Sequence, residues 1–291
     1  MDFMADNNSG TEKIPQLKIL VADDDVLNQR MMQVLLTREG HRVDLVSSGL
    51  EAFEAVKLQK YDIVFMDLQM PVMDGIEASR RIREWENGGQ HTFIVALTAS
   101  YLPEKGEVLF EAGIDNYVSK PFEMEHIQRL LKYSFKARIP ARSDESPILS
   151  TESVPEKILD IQMGIGQVGG DVDTYRELLG DFIQELPERL QTIQRFFASM
   201  DLVGLSRAAH NLNGIAANLG AAQLSECARK IDKQSVEGYT ESIGDLIQEI
   251  QLVVAQLLEI SNNFLAEKKN LVLSQYRKLG LSGGMHAGIA D

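Results

Sequence analysis

The chain has 291 residues, 44% hydrophobic and 25% charged, which is room for two ordinary domains. Its 43 acidic residues outnumber 29 basic ones, and the formal charge of −14 argues against an unaided nucleic-acid surface. No apolar run approaches the ~20 residues of a membrane span, and "MDFMADNNSGTEK" lacks a signal-peptide profile, so a cytoplasmic chain without membrane insertion is expected.

After a tail of residues 1–16, "LKILVADDD" (Leu17 to Asp25) is an apolar strand run finishing on Asp23, Asp24 and Asp25. Leu27, Met31, Val34 and Leu35 follow at helical spacings and Gly40 takes a C′ position, which predicts a helix. "DIVFMDLQMPVMDGIE" (Asp62 to Glu77) is a strand ending on Asp67, then a loop with Pro and Gly, then a helix. "TFIVALTAS" finishes on Thr98, and "DNYVSKPF" on Lys120 before Pro121. Strands alternating with helices predict a parallel sheet covered on both faces. Ligand crevices in such sheets lie outside the carboxyl ends of the strands. The first, third, fourth and fifth strands thus bring Asp23, Asp24, Asp67, Thr98 and Lys120 to one edge. Clustered carboxylates repel one another unless cations share the site; Lys120 supplies one positive charge and a hard, oxygen-liganded ion such as Mg²⁺ the rest. Singly, each residue has an ordinary reading as a cap, a solvated turn or a surface charge; their order and common edge argue for chemistry.

"LVADDDVLNQRMM", "VFMDLQMPVMDG", "VALTAS" and "YVSKPF", in that order, resemble the receiver domain of two-component response regulators, over about residues 17–136. The resemblance implies an α/β flavodoxin-like fold with a five-stranded parallel sheet. It implies Asp67 as phosphoacceptor, with Asp23 and Asp24 helping to place Mg²⁺ beside Asp67 and the backbone carbonyl of Gln69. It makes Thr98 the switch hydroxyl, pairs Lys120 with the phosphoryl group, and puts Tyr117 at the aromatic switch position. Asp67 would attack an incoming phosphoryl group in line while metal and lysine spread the charge, so that the receiver catalyses its own Mg²⁺-dependent phosphorylation.

Residues 137–157, "ARIPARSDESPILSTESVPEK", are rich in Pro, Ser and charge and read as a flexible linker. Strand signals then vanish. Val172, Tyr175, Leu178, Leu179, Phe182, Ile183, Leu186, Leu190, Ile193 and Phe197 make a broad apolar stripe, which Pro187 should kink or split. Further helices are expected over Asp201 to Leu219, Ala221 to Gln234 and Ser242 to Phe264, joined near Gly220 and Gly238 into an up-and-down bundle over 158–265. Residues 266–291 form a C-terminal tail in which "KKNLVLSQYRKLG" could prolong the last helix or dock a partner.

Leu205, Ala209, Leu212, Ala216 and Leu219 define a core-facing stripe, and at 100° per residue His210 lies roughly 140° from its centre. An exposed imidazole is therefore expected, with Gly214 and Ala217 leaving flat space beside it. Cys227 reads as a buried small hydrophobe, and His41, His91, His126 and His286 as surface or loop residues. "VGGDVDTYRELLGDFIQELPERL" and "AHNLNGIAANLGA" resemble histidine phosphotransfer (HPt) domains, over about Leu159 to Phe264. By resemblance His210 is a phosphoacceptor reacting as neutral imidazole, on a surface with Arg207, Asn213, Gly214 and Ala217. The family usually carries lysine three residues after the histidine; here Asn213 gives up a charge-assisted hydrogen bond.

No Gly-rich ATP loop or kinase dimerisation helix pair is read in the sequence. The expectation is a phosphorelay intermediate: a sensor histidine kinase loads Asp67, and His210 passes the group to a downstream response regulator receiver. A phosphorylation-regulated interaction module whose bundle only binds is the alternative. A haloacid-dehalogenase-type phosphohydrolase is a further one, although that family's D-x-D nucleophile follows the first strand.

Overall fold

Every second residue along a β-strand faces the same side, and here both sides are apolar. The computed structural model describes residues 15–98, 106–122, 124–136 and 157–278, and the chain divides into two compact units. The first alternates β1 (Lys18–Ala22), α1 (Val26–Arg38), β2 (Arg42–Val46), α2 (Gly49–Leu58), β3 (Ile63–Asp67), α3 (Gly75–Glu86), β4 (Phe93–Thr98), α4 (Gly106–Glu111), β5 (Asn116–Ser119) and α5 (Met124–Lys136). All strand pairs are parallel, in the order β2-β1-β3-β4-β5. Winding changes direction between β1 and β3, the point at which an open α/β sheet leaves a crevice at its carboxyl edge.

Ile19, Val21, Ile63, Phe65, Val95 and Leu97 pack with Met32, Leu36, Ile127 and Leu131 of α1 and α5. The intervening Leu20, Ala22, Val64, Met66, Ile94 and Ala96 pack with Ala52, Val56, Ala78 and Ile82 of α2 and α3. Burial on both faces is why the strands read as continuous apolar runs. Asp25 caps α1 by accepting from the Leu27 and Asn28 N–H groups, and Gly40 follows the helix at φ +90°. The third aspartate of the first run is thus a helix cap.

The second unit consists of α6 (Ile161–Gln167), α7 (Val172–Ala198), α8 (Leu202–Asn218), α9 (Ala222–Glu237) and α10 (Ile243–Lys278), with no strand among the described residues. Asp160, Asp171 and Asp201 cap α6, α7 and α8 through their side chains. α8 packs against both α7 and α9, and α10 against the same two helices. Gly220, at φ +81°, lets the chain turn where a Cβ would meet the Asp160 carbonyl oxygen at 2.3 Å. The Tyr175 hydroxyl donates to the Leu219 carbonyl (2.9 Å), tying α7 to the end of α8.

Two helices differ from the simplest expectation. α7 is not split: its 27 residues run through Pro187, because Phe182, Leu186 and Ile193 on either side remain buried and packing outweighs the lost helix bond. α10 continues past Phe264 to Lys278. The expected linker, apart from Lys157, lies outside the described residues, as do residues 1–14 and 279–291.

Pro187 is exposed, so Pro187→Ala restores a backbone donor without disturbing the core. The helical unit should gain about 1–2 kcal/mol after allowing for the looser unfolded chain. Denaturation followed by circular dichroism would show the later helical transition, while the fluorescence of the sole tryptophan, Trp85 in α3, stays unchanged.

Candidate functional site

The strand register brings the predicted residues of the first unit together: Ala22 lies beside Met66, Asp67 beside Leu97, and Thr98 beside Ser119. Asp23, Asp24 and Asp67 leave their strands at one edge with carboxylate oxygens within 4.8 Å of one another. Lys120 Nζ donates to Asp67 Oδ2 at 2.5 Å and to Asp23 Oδ2 at 2.9 Å. Asp23, Asp67 and Lys120 are buried and Asp24 is half-buried. The lysine is held from behind, since its N–H donates to the Thr98 carbonyl (2.7 Å) and Phe122 is fully buried in the core. Gln69 N–H donates to Asp67 Oδ1 at 3.0 Å. Thr98 is half-buried at the same edge, and Tyr117 packs on the sheet face covered by α2 and α3.

Several supporting residues escaped sequence reasoning. Gln29 Nε2 donates to the Asp23 carbonyl (2.6 Å), the Val46 carbonyl (3.0 Å) and Ser47 Oγ (3.1 Å), binding the ends of β1 and β2 together. Asp25 N–H donates to Asp23 Oδ1 at 2.9 Å. Gly75 begins α3 against the third strand: a Cβ there would stand 2.1 Å from the Asp67 carbonyl oxygen. At Gly49 it would stand 2.5 Å from the Met73 carbonyl oxygen. These two close approaches press the loop after β3 against the sheet. Val72, at its exposed tip, takes φ +69°, a costly conformation for a β-branched residue. Glycine in the "MDG" run was the available signal; Gln29 carried none, standing in a helical turn like any polar residue.

Charge balance decides what the site can hold. Burial pushes Asp23 up to about 8 despite the pull of Lys120, and the neighbouring Asp67 pushes the same way. Burial alone would lower Lys120, but Asp23 and Asp67 outweigh it and raise it above its ordinary value, so it stays charged. One ammonium among three carboxylates leaves excess negative charge, and an oxygen-rich set of this kind fits a hard divalent cation such as Mg²⁺.

In the second unit the structure overturns the exposed imidazole. His210 is 5% exposed, Asn213 and Gly214 are buried, and Arg207 and Ala217 are half-buried. The projection assumed a helix buried along one stripe, whereas α8 is covered on more than one side. A polar seam with α9 runs down the flank where His210 lies. Ser206 Oγ donates to Asp232 Oδ1 (2.6 Å), His210 Nδ1 stands 3.3 Å from Asp232 Oδ2, and Ser225 Oγ donates to Asn213 Oδ1 (2.7 Å). His41 also differs from expectation: it is buried and its Nδ1 accepts from Leu17 N–H (3.2 Å), burial lowering its pKa. His91 pairs with Asp115 at 2.7 Å. Cys227 is buried, and burial, then Glu249, pushes its thiol up to about 12.

Comparison with known proteins agrees with this division. The response regulator receiver domain family matches residues 19–132 and the Hpt domain family residues 177–259. The signal transduction histidine-protein kinase BarA of Shigella flexneri is 27% identical over 257 residues, 88% of this chain and 27% of BarA. The sensor histidine kinase GacS of Pseudomonas protegens is 31% identical over 219 residues, 73% of this chain and 24% of GacS. The chain spans about a quarter of the length of these curated relatives. A crystal structure of the receiver domain of sensor histidine kinase PA1611 from Pseudomonas aeruginosa PAO1, with a magnesium ion coordinated in its active-site cleft, is 37% identical. It covers 42% of this chain and 99% of its own, with a TM-score of 0.39.

Lys120→Met removes the cation from the buried cluster and should cost the first unit about 3 kcal/mol, which added Mg²⁺ partly restores. Trp85 fluorescence during urea unfolding reads this; an unshifted midpoint would contradict the charge balance. Diethyl pyrocarbonate should modify His91, whose side chain is 60% exposed, well before His210, whose side chain is 6% exposed. Equal rates, followed by mass spectrometry, would show the ring to be open.

Proposed function

This chain is a response regulator receiver domain followed by an Hpt domain of the two-component family, and we propose that it passes a phosphoryl group between Asp67 and His210 as a relay intermediate. The observation that carries the reading is the enclosed cluster in which Lys120 reaches both Asp67 and Asp23. Asp67 would be the nucleophile: its Oδ1 is steadied by the Gln69 N–H and its Oδ2 by Lys120. Lys120 would follow the phosphoryl oxygens as negative charge moves from Asp67 onto them. Mg²⁺, held by Asp23, Asp24, Asp67 and the Gln69 carbonyl, would supply the remaining charge neutralisation. Thr98, at the same edge, would bond a phosphoryl oxygen and sense occupancy, with Tyr117 filling the space it vacates. A sensor histidine kinase would load Asp67, and a downstream receiver would collect from His210.

A second reading has an observation of its own. His210 is buried and Asn213 is engaged by Ser225, which suits a bundle that binds partners without transferring phosphate. In the relay reading, docking has to uncover the ring before it reacts.

Radiolabelled acetyl phosphate with Mg²⁺ separates the two. The relay predicts base-labile label on Asp67, then acid-labile, base-stable label on His210. Asp67→Asn should abolish both, and His210→Gln only the second. Label confined to Asp67, even with a second phosphorylated receiver present, would favour the binding module. No label on Asp67 would refute both.

A further inference from the structure

The peptide that joins Asp23 to Asp24 carries two of the three carboxylates of the cluster, and a side chain outside the cluster holds it. Gln29 is buried in the first turn of α1, where its N–H donates to the Asp25 carbonyl at 3.0 Å. Its Nε2 reaches back to the Asp23 carbonyl at 2.6 Å, the shortest of its three bonds, and to the Val46 carbonyl at 3.0 Å and Ser47 Oγ at 3.1 Å. We propose that Gln29 is a positioning residue for Mg²⁺: by holding the Asp23 carbonyl it fixes the peptide between Asp23 and Asp24, and so the direction in which the Asp24 carboxylate leaves the chain. This rests on the proposed Mg²⁺-dependent chemistry at Asp67 and deepens it.

A peptide group is planar, so pinning its oxygen fixes the N–H and the Cα on the far side of the bond. Asp23 is already held at its other atoms. Its N–H donates to the Val46 carbonyl (3.2 Å), its Oδ1 accepts from Asp25 N–H (2.9 Å) and its Oδ2 accepts from Lys120 Nζ (2.9 Å). Carbonyl oxygens only accept, so the part of the Gln29 amide that faces Asp23 and Val46 is its NH₂. The same amide ties the acidic pair to the exit of β2, where Ser48 caps α2 and Gly49 N–H donates to the Met73 carbonyl (3.1 Å) in the loop after Asp67. Both sides of the cluster are thus set against one frame. Mg²⁺ demands near-ideal octahedral geometry at short distances, whereas Ca²⁺ accepts longer and less regular bonds. A tilt of the Asp24 carboxylate should therefore weaken Mg²⁺ more than Ca²⁺.

Three variants separate positioning from packing. Gln29→Met keeps the length of the side chain and removes both amide hydrogens. Gln29→Arg keeps a donor, since its Nε stands as many bonds from Cα as the glutamine Nε2. Ser47→Ala loosens the same link at β2 and leaves the Asp23 carbonyl bonded.

Calorimetric titration of the full chain with Mg²⁺ and with Ca²⁺ reads metal affinity directly. We expect Gln29→Met to weaken Mg²⁺ about 10-fold and Ca²⁺ by about 3-fold or less, Gln29→Arg to recover most of the loss, and Ser47→Ala to match the wild type. With acetyl phosphate, the half-saturating Mg²⁺ for labelling Asp67 should rise by the same factor in Gln29→Met. The rate at saturating Mg²⁺ should stay within about 2-fold, because Asp24 is drawn back into place once the site is filled. A merely structural loss would lower the folded fraction and the saturating rate and leave the half-saturation where it was. If Gln29→Met does not fold, Gln29→Asn, whose amide falls short of the carbonyl, is read in its place. Unchanged Mg²⁺ affinity, an equal loss for both ions, or the same loss in Ser47→Ala would overturn the proposal. The expected affinities with no label on wild-type Asp67 would overturn the functional reading and leave the positioning role standing.

Discussion

A single buried ammonium held between two carboxylates is the constraint around which the first unit is organised. Lys120 reaches Asp67 and Asp23 from the far side of the sheet edge, and it can do so only because three separate strands end level with one another. Removing such charges from water costs several kcal/mol per ion unless the geometry compensates. The surrounding structure is correspondingly close-packed: Phe122 is buried in the core, Gln29 clips β1 to β2, and Gly49 and Gly75 let the loop after β3 lie flat. Even so, the negative charge exceeds the positive. The site is therefore prepared for a further cation.

The second unit solves the opposite problem with opposite charges. Its titratable group is an imidazole, and the neighbour provided by the fold is a carboxylate, Asp232, itself held by a serine. Neither Asp67 nor His210 stands in open water. Asp67 is enclosed at the end of a sheet covered on both faces, and His210 on a helix packed against two others.

Much of this was legible in the sequence, and the failures have physical causes. The order of apolar runs and their terminal residues was enough for the parallel sheet and for the convergence of Asp23, Asp24, Asp67 and Lys120, because strand exits in such a sheet lie at one edge by construction. α8 was legible almost to the residue, since Asp201 caps it and Gly220 follows it in a left-handed conformation. The orientation of His210 was not. Helical projection reports angle, and burial depends on how many neighbours pack round the helix, which no local pattern contains. Asp232 was hidden for a related reason: it lies 22 residues after His210 and 26 after Ser206 in the chain, and only the packing of α8 on α9 joins them. At Pro187 the expected split erred in the other direction, a strong local signal overruled by the packing of Leu186 and Ile193.

The burial of His210 bears on timing as well as on access. Delivery of a phosphoryl group to a partner and its loss to solvent would both begin with the same event, the uncovering of Nε2. In the proposed relay a buried ring would slow the two together, so the fidelity of signalling would be set by which partner uncovers it.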